Sequence, residues 1–462
     1  MREERLVIRP FEEIRIINYE SVQEANEHAR AKVTGWIPFK NRDDYIKAGR
    51  RQTWVQVTAL SEEGEIILFY GLIEQLCLKI ENGTCMMEMN LCSGTQLMDY
   101  ENHTRSFQDK AFTFRDLLDT CIREYEDSGR IMTEGKEKTI QNLIMQYRET
   151  DWEFIKRLAS MNHTMLFADC STKGEKFYFG IPNRTDVQEP ATDEYQMRCE
   201  IEEYWAKRGR DLEVRTEDTV SYIWESREFH RLGEKAVINH IEGYIWKIQT
   251  KLRGNEVYHT CYMKPRPGLR TFRLYNESLT GVSLPGTVTK VQNEKVQIRI
   301  HSDENKEGAG VRWYSYSTVY SSQDGTGWYC MPEIGDTVRL YFPGDREEDA
   351  YVASAYHESG SALRTRPERK FWRNKEGKEI RLSPDSILLT NNDGTYIELS
   401  DDNGIEMISN GSISLRAGGN LSISSSGSSI EVNAPNRIRL KQGDTEMDLG
   451  GDLSMSGARI RL

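Results

Sequence analysis

The C-terminal part of the chain, from Gly377 to Leu462, repeats one short unit. Each unit is an aliphatic residue, one polar residue, a second aliphatic residue and a turn rich in Gly, Asn, Asp and Ser. Side chains two positions apart in a strand point to the same face, so each unit predicts a short strand with its two aliphatics on one side. Repetition at so short a period is typical of a solenoid or needle. The units, mostly eight or nine residues apart, are Ile380/Leu382, Ile387/Leu389, Ile397/Leu399, Ile405/Met407, Ile413/Leu415, Leu421/Ile423, Ile430/Val432, Ile438/Leu440, Met447/Leu449, Leu453/Met455 and Ile460/Leu462.

This single apolar face needs a cover. Burying one aliphatic side chain is worth about 2 kcal/mol, but a lone meander cannot cover its own face, and two-stranded pieces are marginal in water. We therefore expect three copies to wind about one axis, each supplying one wall of a triangular prism, which also removes the unpaired strand edges. The alternative is a monomeric solenoid. Stacked at ~4.8 Å per strand, the repeats would make a stiff rod of roughly 50 Å.

The repeat also predicts which side chains meet in this trimer and which close its end. The last units, Leu453, Met455, Ile460 and Leu462, would present the apolar ends of three chains and form the predicted seat of a tip protein. The stretch 412–462 contains no aromatic residue, which favours mechanical work over sugar recognition. The residues predicted to form the trimer core are Ile405, Ile413, Leu415, Leu421, Ile423, Ile430, Val432, Ile438 and Leu440.

Upstream of the repeat, the hydrophobic pattern predicts a mainly β protein with minor α content. Alternating apolar runs separated by turn residues such as Asn82-Gly83 indicate barrel-like hub domains. Five short strands before the repeat suit an OB-fold barrel. The predicted domains are 1–110, an N-terminal β-barrel hub domain; 111–164, a helical connector; 165–280, a second β-rich hub domain; 281–358, the OB-fold domain; 359–378, a basic linker; and 379–462, the needle, an intertwined triple-stranded β-helix.

Two helices are predicted in the connector. Thr113 is a plausible N-cap, with Asp116 three residues on. Thr150 and Glu153 have the spacing of a capping box, in which each side chain satisfies a free backbone donor of the other. On the same helix, Glu153 and Arg157 have the i,i+4 spacing of an ion pair.

Charge and composition exclude several classes of function. A net charge of −12 argues against nucleic acid as a partner, since phosphate binding needs a concentrated basic face. No apolar run approaches the ~18 residues of a membrane span, and the first residues lack the apolar core of a signal peptide. We therefore expect a protein made in the cytoplasm and soluble there. The eight cysteines form no C-x-x-C and are expected to be reduced and mostly buried.

Motifs of known catalytic sites are missing from the sequence. It contains no H-E-x-x-H, no G-x-S-x-G and no P-loop, so we predict a protein that is not an enzyme and uses no cofactor and no metal. His230 and His240 lie in a charged, strand-rich stretch and are not expected to bind metal. The acidic run 345–349 is expected to be a solvated turn. Core and interchain packing, rather than a ligand platform, is expected for the aromatic residues of the OB region, Trp313, Tyr314, Tyr316, Trp328 and Tyr329.

Three characteristic segments follow one another along the chain. They are QYRETDWEFIKRLASMNHTMLF (146–167), MPEIGDTVRLYFPGDREEDAYVASAYH (331–357) and the start of the repeat, GKEIRLSPD followed by GTYIELSDDNGIEMIS. Together they resemble the valine-glycine repeat protein G (VgrG) family and the phage late-control D proteins. The N-terminal third is similar to that family by pattern only.

The resemblance implies a homotrimeric central spike of a contractile injection machine: a type VI secretion system, an extracellular injection particle or a phage tail. Such a spike seats on a hexameric, Hcp-like tail tube and on baseplate proteins, and many carry a PAAR-type tip protein or effector cargo. It assembles in the cytoplasm within a tail-like particle and is driven outward through the target envelope on sheath contraction, without stable membrane insertion. The alternative function is a receptor- or glycan-binding phage tailspike, which would need an aromatic and paired-carboxylate patch on the rod. A nucleic-acid-binding OB protein is a third, more distant alternative.

Overall fold

The computed structural model of the chain describes residues 5–61, 64–184, 187–188, 194–210, 212–306, 309–357 and 360–456. The chain divides into two compact units, Met1–Glu358 and Ser359–Leu462. Most of its regular structure is β, as the sequence predicts.

The larger part of the first unit is a β-rich hub with a few helices. Its strands are β1 (Arg5–Arg9), β2 (Arg15–Glu24), β3 (Arg30–Ile37), β4 (Trp54–Ser61), β5 (Gly64–Glu81), β6 (Thr84–Cys92), β7 (Asn102–Phe107), β8 (Gly129–Met132), β9 (Ile144–Thr150), β10 (Leu166–Ala168), β11 (Lys176–Phe179), β12 (Val187–Gln188), β13 (Gln196–Cys199), β14 (Val220–Ser226), β15 (Lys235–Ile238), β16 (Ile241–Arg253) and β17 (Glu256–Lys264). Its helices are α1 (Arg42–Gly49), α2 (Phe114–Ile122), α3 (Asp151–Met161) and α4 (Ile201–Arg208).

One large sheet joins the two hub segments. Its order is β1-β4-β5-β6-β3-β2-β16-β17-β14-β13, with β15 beside β16 and β12 beside β15. The junction is the antiparallel pair β2–β16, where Ser21 lies opposite Thr250. Lys247 Nζ reaches Glu24 Oε2 across it at 2.7 Å. Strand β2 pairs with β3 on one edge and with β16 on the other. Strands of the two hub segments therefore belong to one sheet.

Hairpin signals in the sequence correspond to turns in this sheet. Asn82 and Gly83 connect β5 to β6 and both have positive φ, 48° and 78°, as a tight two-residue hairpin turn requires. Ser61 lies opposite Gly64 where β4 turns into β5. The acidic residues Glu62 and Glu63 of that predicted turn lie outside the described residues.

Both predicted helix starts are confirmed. Thr113 caps α2 and Thr150 caps α3, and each forms a reciprocal capping box with the acidic residue three positions on. The predicted Glu153–Arg157 pair is wrong. The Glu153 carboxylate is used by the cap, accepting from the Thr150 backbone N–H at 3.0 Å, and the Arg157 guanidinium turns into the core instead.

The last part of the first unit is a small five-stranded sheet. Its strands are β18 (Ser283–Gln292), β19 (Lys295–Ile300), β20 (Trp313–Ser315), β21 (Thr337–Tyr341) and β22 (Tyr351–Ala355), in the order β20-β19-β18-β21-β22. A bridge between Tyr316 and Val352 brings its two ends together. Alternate residues of these strands, such as Val288, Ile298 and Leu340, form its buried core.

The second unit contains two antiparallel meanders. The first is β23 (Lys370–Arg373), β24 (Glu379–Leu382), β25 (Ser386–Thr390), β26 (Tyr396–Ser400) and β27 (Gly404–Ile408). The second is β28 (Ile438–Gln442), β29 (Thr445–Gly450) and β30 (Asp452–Ser456). Strand β23 lies inside the stretch interpreted as a basic linker, so strand pairing begins before the aliphatic repeat.

Candidate self-assembly surface

Strand register collects the aliphatic pairs of the first meander on one face. Because residues directly opposite each other in an antiparallel sheet share a face, these side chains form two rows that cross the strands. One row contains Leu382, Ile387, Leu399 and Ile405, and the other Ile380, Leu389, Ile397 and Met407. Trp372 of β23 lies opposite Ile380 and extends the second row by one strand. We call these nine residues the aliphatic face.

Among the residues that the structure describes, little covers the aliphatic face. All its members except the half-buried Ile397 are exposed, Ile405 to 72%. Monomeric soluble proteins rarely expose contiguous apolar patches of this kind unless they mark an interaction site. The face is therefore a candidate surface for self-assembly.

The stretch 410–437 follows the first meander and contains three further aliphatic pairs. Every residue in it is exposed, and among the described residues no strand is assigned between Ile408 and Ile438. The predicted core residues here, all largely exposed, are Ile413, Leu415, Leu421, Ile423, Ile430 and Val432. Backbone N–H and C=O groups need partners when they are buried, and the exposed backbone of this stretch is available for pairing with another chain.

The second meander repeats the arrangement near the end of the chain. Ile438, Leu449 and Leu453 lie opposite one another, as do Leu440, Met447 and Met455. Leu440 and Leu453 are exposed, whereas Ile438 is half-buried. Of the predicted tip seat, Leu453 is 59% exposed and Met455 lies on β30. The other two members, Ile460 and Leu462, lie outside the described residues.

The opposite face of the first meander mixes charged and apolar side chains. Arg381 on β24, Glu398 on β26 and Glu406 on β27 share it with the half-buried Leu388 of β25. The neighbouring Tyr396 hydroxyl donates to Glu406 Oε2 at 2.7 Å. The two faces therefore differ in charge: the aliphatic face carries none of these charged side chains, and an antiparallel sheet can bury one face while the other meets water.

A buried ion-pair network ties helix α3 to the OB region. Arg157 Nε and Nη2 donate to the two carboxylate oxygens of Glu149 at 2.7 Å each, and Nη1 donates to Glu347 Oε1 at 2.5 Å. Burial acts to lower the pKa of Arg157, but the charges of Glu347 and Glu149 outweigh it and hold that pKa above its usual value. The prediction that 345–349 is wholly a solvated turn is therefore wrong for Glu347, which is 1% exposed. Glu347 is the core residue of this run, because its carboxylate compensates the charge of the buried Arg157 guanidinium on helix α3.

A second network joins the loop after β19 to strand β7. His103 Nδ1 lies 2.9 Å from Glu304 Oε2, and Arg105 Nη1 donates to the buried Asp151 Oδ1 at 2.6 Å. His103 also belongs to a group of potential metal ligands with Glu101 and Glu124, whose ligand atoms lie within 4.8 Å of one another. The His103 ring is already engaged by Glu304, so the group is explained as part of the packing between β7 and this loop.

The remaining candidate residues have structural surroundings. His230 is buried near Glu234, with Nδ1 3.6 Å from Oε2, whereas His240 is exposed. Among the OB aromatics, Tyr314 is buried in the core and Tyr316 is half-buried, while Trp313, Trp328 and Tyr329 are exposed. Five of the eight free cysteines are buried. Among the described residues, no helix has the length and apolar character needed to cross a bilayer.

Sequence reasoning found the aliphatic face and missed both buried networks. The face follows from a pattern that repeats within a few residues. Arg157 and Glu347 are 190 positions apart, and neither segment signals that its charged residue is buried.

Known proteins resemble part of this chain in sequence and most of it in fold. Residues 284–357 match the family described as "Type VI secretion system/phage-baseplate injector OB domain". No curated protein sequence matches the chain.

Solved structures of similar fold cover most of the chain. The E. coli c3393 protein, described as a component of the type VI secretion system with structural similarity to bacteriophage T4 tail proteins gp27 and gp5, is 13% identical over 76% of this chain and all of its own, with a TM-score of 0.53. A chain of the Francisella PdpA–VgrG complex, in its half-lidded form, is 9% identical over 88% of each chain, with a TM-score of 0.56. A chain of the lidless PdpA–VgrG complex is 9% identical over 88% of this chain and 98% of its own, with a TM-score of 0.57. These likenesses establish the fold, the match at 284–357 establishes an injector OB domain, and together they confirm the resemblance to VgrG-like spike proteins that the motifs indicate.

Proposed function

We propose that this protein is the central spike of a contractile injection machine and works as a homotrimer. The observation that carries the proposal is the uncovered aliphatic face of the second unit. In the proposed trimer this face and its two symmetry mates bury one another around a common axis, and the three opposite faces meet water. The trimer core would be Ile405, Ile413, Leu415, Leu421, Ile423, Ile430, Val432, Ile438 and Leu440.

The stretch 410–437 favours a trimer over a monomeric solenoid. In a solenoid its strands would pair with neighbouring coils of the same chain, yet among the described residues this stretch takes part in no sheet. In the trimer, strands of the other two copies supply the missing partners, which also leaves no free edge. A rod held by backbone ladders around a dry core is stiff, as a piercing element must be.

The first unit is proposed to seat on a hexameric, Hcp-like tail tube and on baseplate proteins. Each chain contributes two β-rich hub segments, 1–110 and 165–280, so three chains contribute six. Six such segments arranged in a ring would match a sixfold tube to a threefold spike. The end of the needle, at Leu453, is the proposed seat of a PAAR-type tip protein, and effector cargo would travel with the spike.

The proposed role is mechanical and involves no catalysis by this chain. The sheath supplies the work, and the spike supplies stiffness and symmetry matching while it is driven out of the producing cell through the target envelope. The β2–β16 junction and the Arg157 network would transmit this load within the hub.

Electron microscopy of the purified protein, alone and with the tube protein of the same machine, tests the proposal. We expect threefold particles with a thin rod, and tubes that start from the wide end of each particle. Particles without threefold symmetry, or tubes that grow equally well when the spike is omitted, would count against a spike that nucleates the tube.

A further inference from the structure

The start of the second unit contains a pocket with a strong positive charge. It encloses about 300 Å³ and is lined by residues from the short turn at 362–364 through strand β24. Its charged lining residues are Arg366, Arg369, Arg373, Arg381 and Glu379. Four guanidinium groups therefore face a single carboxylate, in a chain whose net charge is −12.

The carboxylate is already neutralised. Glu379 is 5% exposed and accepts from Arg381 Nε at 2.6 Å, from Arg373 Nη1 at 3.3 Å and from Asn392 Nδ2 at 3.1 Å. These bonds fix Arg373 and Arg381 in the wall of the pocket. A guanidinium carries five N–H donors, so both residues keep donors that Glu379 does not use.

The other two arginines are exposed and available. Among the described residues, the side chains of Arg366 and Arg369 make no hydrogen bond or ion pair, although the backbone N–H of Arg369 donates to the Arg366 carbonyl at 3.1 Å. That turn holds the two residues on one loop, beside the fixed pair. Two anchored and two free guanidinium groups around one cavity make a site suited to bidentate binding of oxyanions.

We propose that this arginine pocket binds an acidic peptide segment of a partner protein. A volume of about 300 Å³ lies at the low end of ligand pockets and suits a few carboxylate side chains. A nucleic acid fits the surroundings less well, because the lining offers one aromatic ring, Phe371, whose face lies under the Arg364 guanidinium at 6.0 Å, and base stacking needs free rings. The pocket is complete within one chain, so the proposal does not depend on the trimer.

The test is fluorescence anisotropy with a labelled tetraglutamate peptide and the full chain. We expect saturable binding that weakens with salt, and a loss of about tenfold or more in affinity for the Arg366→Glu/Arg369→Glu variant. Both side chains are exposed and unbonded, so this variant should fold normally. Lys110→Glu/Lys290→Glu makes the same charge change at exposed positions elsewhere and should bind like the unaltered protein.

Several results would overturn the proposal. They are absence of saturable peptide binding, equal affinity of the two double variants, or displacement of the peptide by inorganic phosphate well below ~1 mM, which would indicate a small-anion site. Tighter binding of a single-stranded oligonucleotide through Arg366 and Arg369 would reassign the pocket to nucleic acid.

Discussion

Arg157 on helix α3 donates to Glu347 at 2.5 Å, and both side chains are buried although their positions are 190 residues apart. The pair connects the connector helix to the turn before β22. Glu149 and the Met145 carbonyl accept the other hydrogen bonds of the same guanidinium. Loss of either carboxylate therefore leaves the buried Arg157 charge only partly compensated.

Replacement of Glu347 tests this network. We expect Glu347→Gln to lower the free energy of unfolding of the first unit by about 3 kcal/mol, since removing one member of a buried pair leaves the other uncompensated. Asp349→Asn is the matched control from the same acidic run. Asp349 is exposed, and its replacement should change the stability by less than about 0.5 kcal/mol. Denaturant unfolding followed by tryptophan fluorescence measures both, and equal effects would mean that Glu347 is solvated after all.

A charge placed on the proposed trimer axis gives a second test. Ile423 is 69% exposed in the single chain, so a monomer should tolerate Ile423→Asp. In the trimer the substitution buries three carboxylates together, and we expect a sharp fall in the melting temperature of the C-terminal unit. Ser422→Asp, one position earlier, would point away from the axis in the proposed strand and should have little effect. An unchanged melting temperature for Ile423→Asp would mean that position 423 faces water.

Deletion of residues 452–462 separates tip binding from trimer formation. Leu453 lies in this segment, whereas all nine residues of the proposed trimer core lie before it. We expect the truncated protein to remain a trimer and to lose binding of the tip protein in a pull-down. Capture of the tip at full strength would place the seat elsewhere.

The hub should lose stability in mild acid because of His259. Burial, with a smaller contribution from the charge of His230, lowers the pKa of His259 from 6.5 to about 4. Between these values the unfolded chain binds a proton that the folded chain does not, so stability falls as pH falls from 6.5 to about 4. The shift corresponds to about 3 kcal/mol.

Unfolding free energies measured across this pH range give the slope of stability against pH. His259→Asn should flatten it, whereas His357→Gln, at an exposed position, should leave it unchanged. A slope that persists in His259→Asn would assign the pH dependence to other groups.

How far the sequence predicts the structure depends on the range of each interaction. The aliphatic rows follow from a period of two within each repeat, and the capping boxes at Thr113 and Thr150 follow from a spacing of three. Both signals are local. The β2–β16 junction and the Arg157–Glu347 pair depend on which distant segments meet, which neither periodicity nor composition encodes. The pairing of β23 was hidden for a further reason, since its Lys, Phe, Trp and Arg lack the aliphatic signature of the later strands.

The mass of the folded assembly tests the central claim most directly. Sedimentation equilibrium on the full chain at low concentration should give three times 53.5 kDa, because in the proposed trimer three copies bury the aliphatic face together. A well-folded species of 53.5 kDa whose C-terminal half resists proteolysis would contradict the account.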